Sequence, residues 1–129
     1  MRSDWQQAAE TGDAARLAEL LETGADIDAL DRHGQTALML AARNGHGDAV
    51  RVLLDAGAEI DHTAKYQLSA LMLAVINDRL DVVEQLVEAG ADLAIEGSGA
   101  PGFAGKTALE IALDLGRDEI AAMIRTRRP

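Results

Sequence analysis

The feature that most constrains this chain is a phrase that returns. Residues 57–61 read GAEID, with near copies at 24–28 (GADID) and 90–94 (GADLA), so the same Gly recurs at a spacing of 33 residues. A second phrase keeps the same beat. GQTALMLAA at 34–42 is answered by QLSALMLAV at 67–75 and then, after a longer interval of 38 residues, by GKTALEIAL at 105–113. A period of this size marks a stacked array, because one such unit cannot bury its apolar face alone and needs neighbours to do so.

Residues 31–63 give the clearest unit. Thr36 stands where a helix N-cap belongs, Leu38, Leu40, Ala41 and Ala42 supply buried positions, and Asn44-Gly45 ends the helix with a left-handed turn. Asp48 then sits at the positive end of a second helix whose stripe is Val50, Leu53 and Leu54, and Gly57 stops it. The unit therefore predicts helix, turn, helix and an extended return loop. Residues 64–96 repeat the plan, with Ser69 as cap and Asn77-Asp78 at the turn, but with Gln67 where the loop-tip Gly belongs, which predicts a strained or reshaped tip. Residues 5–30 read as a first unit lacking its opening turn, and residues 102–126 as a last one capped by Thr107. Between them, residues 97–101 (GSGAP) are an insertion of flexible composition that accounts for the slipped period. The expectation is a single all-α domain, a helix-turn-helix solenoid of four units with polar faces at its two ends.

Composition fits this reading. The 129 residues include one Trp, one Tyr and one Phe, and thin helix pairs are packed with Ala, Leu, Val and Ile rather than large rings. The formal charge of −10 repels phosphate backbones, so nucleic acid is not an expected partner. Arg125, Arg127 and Arg128 form the one basic cluster, read as a helix-end charge. Cysteine is absent, which excludes disulfides and thiolate metal sites. No stretch approaches the ~20 apolar residues of a membrane span, so a cytoplasmic location without membrane contact is expected.

These phrases resemble ankyrin repeats, whose pattern runs approximately DxxGxTPLHxAAxxGHxxxVxxLLxxGADxN. Asp31, Gly34, Thr36, Leu38, Ala41, Ala42, Gly45, His46, Val50, Leu53, Leu54, Gly57, Ala58 and Asp61 fall on it or match it conservatively. The TPLH phrase departs: it is TALM at 36–39, SALM at 69–72 and TALE at 107–110. In the family that His ties neighbouring repeats through the loop backbone, and here Met takes the space by packing. Arg also greatly outnumbers Lys, a bias that suits a GC-rich bacterial coding sequence.

The resemblance implies a non-catalytic module that grips a protein partner with a concave face of loop tips and first helices. Carried over by position, that face holds Arg32, His33, Gln35, Arg43 and Asn44, then Lys65, Tyr66, Leu68, Ile76 and Asn77, then Phe103, Lys106 and Asp114. Tyr66, Leu68, Ile76 and Phe103 read as an apolar anchor, or alternatively as Leu68 packed on Ile76 with Tyr66 shielding the loop. The insertion reads as a partner-contacting flap or as tolerated slack. An acidic immunity or inhibitor protein that neutralises a basic toxin or enzyme also fits, as does a self-assembling structural protein, although a monomer is expected. No cofactor, metal or catalytic site is expected. His33, His46 and His62 fall at positions that do not converge, Ser69 and Ser98 have no matching His and acid, and GSGAPG lacks the Lys and helix start of a phosphate loop.

Overall fold

The computed structural model describes residues 1–99 and 101–127; Ala100 of the insertion and Arg128 of the basic cluster lie outside them. Among the described residues there are eight α-helices: α1 Ser3–Thr11, α2 Ala14–Glu22, α3 Ala37–Arg43, α4 Gly47–Asp55, α5 Ala70–Ile76, α6 Leu80–Glu88, α7 Ala108–Asp114 and α8 Asp118–Arg127. They pair in order, α1 with α2 through α7 with α8. The first helices of successive pairs pack side by side as one layer, and the second helices form the other. The architecture is an all-α helical repeat solenoid.

Small side chains make the first layer possible. Ala37, Ala41, Ala42, Ala70, Ala74, Ala108 and Ala112 are all buried, so α3, α5 and α7 meet through methyl groups. Leu38, Met39, Leu71, Met72 and Ile111 fill the space behind them, and the Met residues that replace the family's His are each 1% exposed. The caps are the expected ones. Thr36 Oγ1 accepts from the Met39 amide at 3.2 Å and Ser69 Oγ from the Met72 amide at 3.3 Å. At α7 the Glu110 carboxylate also accepts from the Thr107 amide, completing a reciprocal cap that the Thr-x-x-Glu spacing signals.

Close approach brings a ladder of side chains into register. The residue before each second helix occupies one repeat position: Asp13, His46, Arg79 and Arg117. Asp13, in the first pair, accepts from the Arg16 amide and caps its own helix. The other three reach back to the preceding pair instead. His46 Nε2 donates to the Glu10 carbonyl at 2.9 Å, Arg79 Nε to the Arg43 carbonyl at 3.2 Å, and Arg117 Nη2 to the Ile76 carbonyl at 3.0 Å. Those carbonyls lie in the last turns of α1, α3 and α5, where a helix leaves its acceptors unpaired. Gly45 keeps the lane open, since a Cβ there would lie 2.8 Å from Arg79 Cδ. Where Asp78 replaces that Gly, its carboxylate stands 3.9 Å from Arg117.

The return loops carry a second set of rungs. Asp28 Oδ1 accepts from the Glu59 amide at 2.9 Å and Asp61 Oδ1 from the Asp92 amide at 2.8 Å, while His62 Nε2 donates to the Gly34 carbonyl at 3.0 Å. The tie that the family's His implies is therefore replaced by carboxylates and by a different His. The insertion is fastened too. Gly97 exchanges backbone bonds with Gly105 and Lys106, and Ser98 donates to the Tyr66 carbonyl at 2.8 Å. A Cβ on Gly97 would fall 2.6 Å from the Phe103 carbonyl oxygen, so only glycine closes this turn.

Without a tip glycine, the third pair adopts a strained turn: Tyr66 (φ 62°) and Gln67 (φ 56°) are both left-handed, where Gly34 and Gly105 serve the equivalent of Gln67 in neighbouring pairs. A left-handed L-residue costs about 1–2 kcal/mol. Gln67→Gly is expected to raise stability by about 1 kcal/mol in thermal melts, part of the gain being offset by the freer unfolded chain; a loss would show that the Gln67 side chain holds the turn. Arg79→Ala is expected to cost about 1–2 kcal/mol by removing a charged rung. The exposed control Arg51→Ala should stay within about 0.5 kcal/mol, and equal losses would deny the ladder its role.

Candidate functional site

The loops that lead into α3, α5 and α7 form a row of tips beside the first-helix layer. Their residues correspond by position: Arg32 with Lys65 and Phe103, His33 with Tyr66 and Ala104, Gln35 with Leu68 and Lys106, and Arg43 with Ile76 and Asp114. At the first tip Asp31 sets the turn, its Oδ1 accepting from the amides of His33 at 2.8 Å and Gln35 at 2.9 Å. Arg32 Nε donates to His33 Nε2 at 3.3 Å. Gln35 is half-buried with its Oε1 unpaired among the described residues. Arg43 and Asn44 are exposed at the end of α3.

At the second tip Lys65 Nζ lies 5.0 Å from the centroid of the Tyr66 ring, within cation–π range, and Tyr66 is 38% exposed. Its other flank meets the insertion, since a Cβ on Gly99 would lie 3.3 Å from the ring. Leu68 requires a correction. It is 7% exposed and belongs to the core, so it supports the tip instead of offering itself as an anchor. The left-handed pair before it turns the chain back, and Leu68 bonds Ala64 and Lys65 through its backbone, laying its side chain inward. Ile76 is half-buried against the same core, and Asn77 is exposed beside it.

In the last pair Lys106 and Asp114, at the positions of Leu68 and Ile76, join in an ion pair. Phe103 is half-buried against the core, where its backbone closes on Gly97, and it forms the base of the insertion. Of the four apolar residues only Tyr66 is exposed; Ile76 and Phe103 are half-buried and Leu68 is buried. Sequence reasoning also missed the ladder formed by His46, Arg79 and Arg117. Its signal was positional, since each residue directly follows a left-handed turn residue, but three side chains of different chemistry disguised a common task.

Charge is unevenly spread. Among the described residues Arg32, Arg43 and Lys65, like Arg51 on α4, have no carboxylate within salt-bridge distance, while Asp31 is engaged in its turn, Glu110 in a cap and Asp114 with Lys106; Glu10, at the position of Arg43 in the first pair, accepts from Gln6 and has no cation. Acids without cations crowd the return loops (Asp26, Glu59, Asp92) and the second helices (Asp48, Asp55, Asp81). Asp4, near the start of α1 and away from the central tips, has its carboxyl pKa lowered by the hydrogen bond from Arg2. A groove of about 630 Å³ lies under the third return loop, lined by Val87, Leu93, Leu109 and Ile124 together with Asp92, Glu96, Thr107 and Arg127. Among the described residues no three His, Cys, Asp or Glu side chains gather as metal ligands, and no helix is long and apolar enough to cross a membrane.

The sequence matches the family model for ankyrin repeats, in three copies, over residues 5–97. Comparison with curated proteins finds no match. The matched span takes in α1 to α6, and α7 and α8 continue the same stack through packing of α5 on α7 and α6 on α8. Ankyrin repeats are generally protein–protein interaction modules and typically non-catalytic. With its period, its paired helices in two layers and this match over most of its length, the chain belongs to the ankyrin repeat family.

Proposed function

We propose that this chain is a non-catalytic protein-binding module that receives a segment of a partner protein across the tips of the second and third helix pairs and the exposed ends of α3 and α5. The observation that carries the reading is the tip of the third pair. It holds two successive non-glycine residues in left-handed conformation and thereby displays a Tyr ring beside a Lys. Strain of this kind persists where surrounding structure enforces it, and it concentrates at sites of recognition. Tyr is also the residue type that concentrates binding energy in interfaces, because its rigid ring offers area and a polar end with little entropy to lose.

Around that ring, Arg32, His33, Gln35 and Arg43 supply polar contacts from the neighbouring pair, and Ile76 and Phe103 supply the apolar floor, with Leu68 beneath as support. The bond from Ser98 to Tyr66 sets the insertion at the edge of the same surface, which favours a contacting flap over slack.

Capture from an extract of the native host tests the proposal. Proteins retained by the wild type should also be retained by the second-helix variant Arg51→Ala and lost with Tyr66→Ala. Emission of the buried Trp5 should follow unfolding of the first pair and show Tyr66→Ala within about 0.5 kcal/mol of the wild type. Retention of the same proteins by Tyr66→Ala, with loss on Arg51→Ala, would move the binding surface to the other layer.

A further inference from the structure

The net charge of −10 invites a basic partner, yet the tips display the opposite sign. Arg32 and Lys65 occupy the same position in successive pairs, and each is braced by the ring that follows it: Arg32 by the bond to His33 Nε2, Lys65 by the face of Tyr66. Bracing removes part of the rotamer freedom that a long side chain loses on binding. Arg43 adds a third exposed cation at the end of α3. None of the three has a carboxylate within salt-bridge distance among the described residues, in a chain with 22 acidic side chains against 12 basic ones.

Most of the surplus acid lies on the second helices and return loops. Exposed charges farther apart than the screening length of about 8 Å in physiological salt act only weakly on one another. Local cations therefore govern short-range contacts at the tips even though the whole molecule is acidic.

We infer that the segment received at the tips is an acidic stretch of polypeptide whose carboxylates meet Arg32, Lys65 and Arg43 around an apolar residue seated at Tyr66. The inference rests on the reading of the tips as a protein-binding surface and adds the chemistry of the partner. A basic partner would instead find its complement on the return loops and second helices.

Two synthetic peptides test it: one of Glu residues around a central Leu pair, and its counterpart with Lys at each Glu. Each is titrated into the isotope-labelled full chain while backbone amide shifts are followed. The acidic peptide is expected to move the amides around Arg32–Gln35 and Lys65–Leu68, to bind at least tenfold more tightly than the basic one, and to weaken as salt rises. The double reversal R32E/K65E should exchange the preference between peptides, with Trp5 emission and helical circular dichroism confirming its fold. The salt dependence of the wild type decides the matter should that variant unfold. Tighter binding of the basic peptide at the same amides would overturn the charge assignment while leaving the binding surface in place. Acidic-peptide shifts confined to α4 and α6, or no response of the tips to either peptide, would overturn both.

Discussion

Everything in this structure depends on how closely the first helices approach one another. The alanines of α3, α5 and α7 are buried without bulk, so neighbouring helix backbones come near enough for a side chain of one pair to reach the last-turn carbonyls of the pair before. A single pair of helices, seven and nine residues long in the central repeats, lies below the length at which isolated helices persist in water. Stability must come from neighbours, as expected for a quasi-one-dimensional stack. The ladder resolves an old conflict at one position. The residue before a second helix can cap its own helix, as Asp13 does in the first pair, or tie its pair to the preceding one, as His46, Arg79 and Arg117 do.

A layer built in this way can hold a loop in a conformation that the loop alone would avoid. Tyr66 and Gln67 remain left-handed because they are constrained from several sides. Leu68 is buried below them, the Thr63–Ser69 bridge closes the turn, and Ser98 is bonded to the Tyr66 carbonyl. The insertion thus belongs to the third tip as much as to the fourth pair. The same rigidity keeps Arg32 and Lys65 on one face, where the braced cations and the exposed ring form a surface unlike the acidic remainder.

Much of the fold was legible in the sequence. The 33-residue return of Gly24, Gly57 and Gly90 specified the stack, Thr36, Ser69 and Thr107 marked helix starts, and the missing glycine at Gln67 announced a reshaped tip. The site was legible only in outline. Position within a repeat places Leu68 on the surface, because the matching Gln35 and Lys106 are polar. Its burial follows from the turn in front of it, and the repeat pattern averages such local geometry away. The ladder was hidden for a related reason, since the pattern records residue types while the carbonyls they reach belong to another repeat. Net charge is blind in a third way. A sum over the chain does not show that Asp31 is engaged in a turn, Glu110 in a cap and Asp114 in an ion pair while Arg32, Arg43 and Lys65 have no carboxylate within salt-bridge distance among the described residues.

We propose that partner recognition takes place at the tips of the second and third pairs, on the first-helix side. Hydrogen exchange of the chain alone and in complex with a protein it captures is the decisive measurement. Protection is predicted for the amides around Arg32–Gln35 and Lys65–Leu68, with those on the exposed faces of α4 and α6 unchanged. New protection confined to the second helices or to the return loops, with the tips exchanging as in the free chain, would contradict it.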